Sequence, residues 1–161
     1  EAEYAPGSNL TQGSMTYELL QFHFHSPSEN MLNGKRFDME IHFVHKDQAG
    51  NLGVLAVFVE KGAANAAIRK IWRYLPQQAN SATDPEGVMF NGGDLLPANR
   101  RYYHFVGSLT TPPCSEGVQW HVLKQPITAS SEQIDAFLRV IGPNNRPVQK
   151  VNGRLVIDSQ K

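Results

Sequence analysis

The segment Thr16–His25 (TYELLQFHFH) constrains the fold more than any other stretch of this 161-residue chain. Large and polar residues alternate through it, and the run stops at Ser26-Pro27. A period of two belongs to a strand, whose successive side chains point to opposite faces. His23 and His25 therefore share a face. Asp38–His45 (DMEIHFVH) repeats the pattern, with Met39, Ile41, Phe43 and His45 on one side and Glu40, His42 and Val44 on the other. The connector SPSENMLNGK is rich in turn formers, and Asn33-Gly34 marks a hairpin or loop. Leu52–Glu60 (LGVLAVFVE) is short, continuously apolar and rich in Val, as a buried strand should be.

Two helices are legible. Ala63–Leu75 carries Ile68, Ile71, Trp72 and Leu75 at helical spacing and ends before Pro76. Ser130–Ile141 opens on a capping box, Ser130 with Gln133, and stops at Gly142-Pro143. Later strands are expected at Tyr102–Val106, Val118–Lys124 and Leu155–Ile157. The length is that of one domain, residues 1–161, with no internal repeat. The class is mostly β (α+β), with a few surface helices.

Charge narrows the partners. Fifteen Lys plus Arg balance fifteen Asp plus Glu, which removes the electrostatic footprint of a general nucleic-acid binder or a polybasic membrane binder. No apolar run approaches the roughly 20 residues that cross a bilayer, and the opening residues EAEYAPGS do not form a signal peptide. Six His for one Cys points to imidazole chemistry. The single Cys114 forms no internal disulfide. It is a free thiol, half of an intermolecular pair, or the partner of a cysteine outside these residues.

His23 and His25 lie about 6.6 Å apart along one strand face and can converge on one ion. His42, on a strand that could lie about 4.8 Å away, offers a third nitrogen. Three neutral imidazoles leave one tetrahedral position open, the arrangement of a catalytic zinc. Gln21 and Glu40 each stand two residues before a histidine on the same face, where a ligand's second N–H needs an acceptor. On its own, an HxH pair is more often a pair of exposed or hydrogen-bonded core histidines, and Glu40 reads as a surface carboxylate. The spacing His23-x-His25-x3-Glu29 is also close to the first cupin motif, but TTPPCSEG lacks the later Pro-x-Gly and histidine that a cupin requires.

Taken together, QFHFHSPSEN, MEIHFVH and GSLTTPPCSEG resemble the α-class carbonic anhydrases of bacterial type, and the resemblance continues through LGVLAVFVEKG, SEGVQWHVLKQPI and NNRPVQ. It implies a central, mainly antiparallel twisted sheet. It implies zinc held by His23, His25 and His42, and reversible hydration of carbon dioxide to bicarbonate and a proton by attack of zinc-bound hydroxide. By the same resemblance Gln21, Asn144 (through its carbonyl) and Glu40 orient the ligands. Thr110 accepts from the hydroxide and passes its proton to Glu29, and Thr111 lines the substrate side. Val44, Val54, Leu109, Val118 and Trp120 form the wall for carbon dioxide. The family domain has a further N-terminal stretch, so the domain here is expected to be N-terminally incomplete. That stretch would carry the usual proton shuttle and the disulfide partner of Cys114, which in turn implies a periplasmic or secreted location. The family is compatible with a homodimer. A binding module that has lost catalysis is the other reading; the three filled histidine positions speak against it.

Overall fold

The computed structural model describes residues 1–78, 80–83 and 85–160. Its strands are β1 (Ala2–Glu3), β2 (Asn9–Gln12), β3 (Met15–His25), β4 (Met31–Leu32), β5 (Lys35–Arg36), β6 (Met39–Lys46), β7 (Leu52–Lys61), β8 (Tyr102–Ser108), β9 (Glu116–Ala129) and β10 (Ile157–Asp158). Two helices, α1 (Ala66–Trp72) and α2 (Ser131–Ile141), and a 3₁₀ turn at Gly92–Leu95 complete the elements. An 8-stranded sheet runs β1-β3-β6-β7-β9-β8-β10, with β2 beside β3. Every pairing is antiparallel except β7 with β9, so the expected mainly antiparallel sheet is present. The hairpin β4–β5 turns at Asn33-Gly34, as the sequence indicates.

Alternation decides what each face buries. Phe22, Phe24, Met39, Ile41, Phe43, Val57 and Val59 form one core with Ile68 of α1 and Ile134 and Phe137 of α2. Val44, Val54, Ala56, Phe58, Val118, Trp120 and Val122 form a second core on the opposite face. His23, His25 and His42 share that second face. The registers His23↔His42 and His42↔Ala56 place the three in the middle of the sheet. A bulge between Leu19 and Gln21 resets the phase of β3. It lets Leu19 join the helix-side core while Gln21 stays on the histidine side.

Several boundaries differ from those the sequence indicates. Helix α1 is shorter at both ends, because Asn65 takes the N-cap and its Oδ1 accepts from the backbone of Ala67 at 2.9 Å and Ile68 at 3.1 Å. Strand β9 runs on past Pro126, which falls where the β7–β9 register breaks and no ladder hydrogen bond is lost. The last strand is Ile157–Asp158, not Leu155–Ile157, since only these residues pair, with His104 and Tyr103. The capping box of α2 is formed: Ser130 N–H donates to Gln133 Oε1 at 3.0 Å, and Gln133 N–H to Ser130 Oγ at 3.3 Å.

Candidate metal centre

The three histidines converge. Their available nitrogens all lie within 4.8 Å of one another, and among the described residues this is the only group of its kind. The ring centroids of His25 and His42 are 4.6 Å apart, and those of His23 and His25 4.9 Å. Burial is deep: His25 is 3 % exposed and His42 1 %, with His23 half-buried.

The His23 and His25 rings each have one nitrogen hydrogen-bonded, which fixes their tautomers, and His42 has the Glu40 carboxylate beside it. Gln21 Nε2 donates to Glu1 Oε2 at 3.2 Å, which turns Gln21 Oε1 toward His23 Nδ1, 2.8 Å away. His25 Nδ1 donates to the Asn144 carbonyl at 3.1 Å. His42 Nε2 faces Glu40 Oε1 at 3.3 Å. The nitrogens left over are Nε2 of His23 and His25 and Nδ1 of His42; among the described residues His25 Nε2 and His42 Nε2 are both buried without a hydrogen bond, so Glu40 stands near His42 Nε2 without closing one. Burial, reinforced by the neighbouring rings, lowers the pKa of His23 to about 2. Burial and His42 lower that of His25 as well, against the opposing pull of Glu29 and the Asn144 carbonyl. Neutral, oriented imidazoles with orphaned lone pairs are what a zinc ion requires, so the donor set fits that metal.

Two buried carboxylates stand behind the triad. Glu40 is fully buried, yet its charge is accounted for: the N–H groups of Glu29 and Asn30 each donate to Oε2 at 2.8 Å, and Asn30 Nδ2 donates to Oε1 at 2.7 Å. Burial pushes its pKa up, but His42 and the Asn30 donors outweigh that and hold it below the ordinary carboxylate value. The surface reading of Glu40 is thereby replaced: β6 is covered on both faces from Met39 to His45. Glu29 Oε1 accepts from Arg146 N–H at 2.7 Å and lies 3.4 Å from His25 Nδ1, while Glu29 Oε2 is buried with no hydrogen-bond partner among the described residues. Glu29 is not in the metal-capable group, which separates this site from the cupin arrangement.

A cavity of about 240 Å³ opens beside the triad, lined by Glu29, Asn30, Ser108, Thr110, Trp120 and Arg146 among others. Trp120 packs edge-on to His42 at 4.9 Å and donates its Nε1–H to the Ser108 carbonyl at 3.1 Å. Val44, Val54, Val118 and Trp120 are buried in one cluster with Leu109 against it. Thr110 faces the cavity, but no hydrogen bond joins it to Glu29 among the described residues. Thr111 is exposed, and Cys114 is half-buried with no disulfide partner among the described residues. Sequence reasoning passed over Asn30 and Arg146. Both act on Glu29 or Glu40 across loops, which no periodicity signals.

The model of the eukaryotic-type carbonic anhydrase family matches residues 2–160. The chain belongs to that family. It is 45% identical over 161 residues to a carbonic anhydrase of Pectobacterium carotovorum, covering 98% of this chain and 64% of that protein. Among solved structures it resembles the α-carbonic anhydrase of Thermovibrio ammonificans in complex with the inhibitor sulfanilamide (47% identity, TM-score 0.85, 89% of this chain and 64% of that one). It also resembles a hyperthermostable carbonic anhydrase identified from a hydrothermal vent chimney (44% identity, TM-score 0.90, 97% and 70%). The chain thus spans less than two thirds of the Pectobacterium protein. The sheet and its helices are those of a carbonic anhydrase, as the resemblance implies.

Proposed function

We propose that this chain supports the reversible, zinc-dependent hydration of carbon dioxide to bicarbonate and a proton, through attack of hydroxide on the carbon. The observation that carries the proposal is the triad: three converging imidazoles, with Gln21 and the Asn144 carbonyl bonded to His23 and His25 and the Glu40 carboxylate 3.3 Å from His42. His23, His25 and His42 would hold the zinc, and the chemistry it would supply is acidification of water to hydroxide near neutral pH, an effect for which carbonic anhydrase is itself the standard instance.

The remaining roles belong to the chain's own groups. Glu29 Oε1 is fixed by the Arg146 N–H, which leaves Oε2 as the open acceptor toward the cavity. A Thr110 hydroxyl that gives its proton to that oxygen can only accept from the reacting oxygen, and so aims it at the substrate. Carbon dioxide is small, neutral and apolar. The wall of Val44, Val54, Leu109, Val118 and Trp120 suits it better than it suits charged bicarbonate, which favours release of product. By the same reading Thr111 belongs to the outer, substrate side, although the exposed side chain does not line the cavity. The same reading pairs Cys114 with a cysteine outside these residues, and so places the protein in an oxidising compartment, periplasmic or secreted.

Stopped-flow carbon dioxide hydration, before zinc chelation, after it and after zinc is restored, tests the proposal. Activity that disappears and returns is expected. A rate that ignores chelation, or activity absent throughout in a chain shown to hold stoichiometric zinc, refutes it.

A further inference from the structure

We propose that Asn30 is a positioning residue, one that sets the Glu40 carboxylate on His42 and the Glu29 carboxylate at the cavity with a single clamp. The inference rests on reading the triad as a zinc site.

Glu40 has no solvent contact, so its two oxygens depend on protein donors. Three of them come from one dipeptide. The N–H groups of Glu29 and Asn30 hold Oε2, and the Asn30 amide holds Oε1. Oε1 is also the oxygen that faces His42 Nε2. Asn30 Nδ2 therefore decides where that oxygen points, and with it the rotation of the His42 ring. Pinning the backbone at residues 29 and 30 has a second effect. It leaves the Glu29 side chain directed to the Arg146 N–H and within 3.4 Å of His25 and 3.9 Å of His42. Of the three donors, only the Asn30 amide is a side chain, so it is the one that substitution can remove.

The chemistry demands a neutral donor at this position. Alanine leaves Oε1 with His42 alone. Aspartate puts a second negative charge where a donor stood 2.7 Å from Glu40. Histidine keeps an N–H at the δ position, where the asparagine amide nitrogen lies.

The test uses the full chain, unaltered and as Asn30→Ala, Asn30→Asp and Asn30→His. Three quantities are read: the first-order rate of zinc release to excess chelator, the visible spectrum of the cobalt(II)-loaded protein, and the melting temperature of the metal-free form. Outer groups that orient metal ligands typically change affinity by about 10–100-fold. Zinc release should accelerate about tenfold in Asn30→Ala and more in Asn30→Asp, with an altered cobalt spectrum. Asn30→His should restore both readouts; the metal-free melting temperature of Asn30→Ala should fall modestly, because a buried carboxylate has lost a donor, so release rate and cobalt spectrum are the deciding readouts. A purely structural role would lower that melting temperature and leave the cobalt spectrum alone. Unaltered release and spectra in Asn30→Ala, whether or not Asn30→Asp folds, overturn the proposal. Failure of the unaltered chain to take up one zinc overturns the zinc reading and this proposal with it. Normal uptake with unaltered release overturns only the role of Asn30.

Discussion

The sheet carries histidine clusters on both faces, and they behave oppositely. On one face His23 meets His25 and His42 nearly edge to face, at 80° and 83°, while the His25 and His42 rings are tilted by 52°. On the other, His104 and His121 stack at 4.8 Å with their planes 30° apart, and the Tyr102 ring stands edge-on to His121 at 5.2 Å. His45 Nδ1 donates to the Phe43 carbonyl at 2.8 Å, and His104 Nδ1 to the Trp120 carbonyl at 3.0 Å. His121 is 4 % exposed, and among the described residues neither of its nitrogens has a hydrogen-bond partner. Burial lowers the pKa of histidines in both clusters. Only in the first do the free lone pairs converge, because only there does each ring have an acceptor placed behind it. Three histidines in a sheet make a metal site when their outer nitrogens are engaged and their inner ones share a focus; burial alone makes an acid-sensitive core.

The largest contrast should appear on removing one ring from each cluster. His42→Ala should reduce bound zinc well below one equivalent and abolish hydration, while His121→Leu keeps full zinc content. Metal analysis after gel filtration checks both. A His42→Ala protein that retains stoichiometric zinc would break the distinction between the clusters. A narrower cut separates holding the metal from using it. Thr110→Ala and Glu29→Gln should each retain zinc and lose about 10²-fold in kcat, the scale on which misorientation of a reacting atom acts. Unchanged kcat in Thr110→Ala removes that hydroxyl from the reaction. Zinc lost in Glu29→Gln would make Glu29 a ligand after all.

The two clusters also mark how far the sequence alone can be read. Strands β3, β6 and β7 were legible because alternation, or an unbroken apolar run, maps directly onto faces. The same alternation put His23, His25 and His42 together. It did not reveal that β6 is covered on both sides, since Glu40 and His42 look like solvent-facing polar residues until the donors to Glu40 arrive from residues 29 and 30. The bulge that lets Leu19 and Gln21 face opposite ways leaves no composition signal. Asn30 and Arg146 act through contacts 10 and 117 residues away, so only the fold brings them to the site. The stacking of His104 on His121 has the same origin, a cross-strand register of β8 with β9.

The finest prediction concerns His121 alone and shows only in acid. Its pKa falls to about 4, chiefly through burial and secondarily through the charges His104 and His45 would carry. The unfolded chain takes up this proton near the ordinary value of about 6.5, whereas the folded protein refuses it until about 4. Between those limits the unfolded state binds more protons, so stability rises with pH and the contribution is complete above about 6.5. Lowering the pH through that window should cost at most about 3 kcal/mol on account of this residue. His121→Leu is close in size, removes two unpartnered buried nitrogens, and has no proton to exclude. It should equal or exceed the unaltered chain at neutral pH by about 1 kcal/mol, and its urea midpoint should fall less between pH 7 and pH 4.5. Removing His121 also relieves its repulsion with His104 and His45, so the difference between the two slopes reads His121 together with that coupling. Parallel slopes would mean that His121 finds a proton acceptor in the folded state, and that the second cluster is better satisfied than its geometry shows.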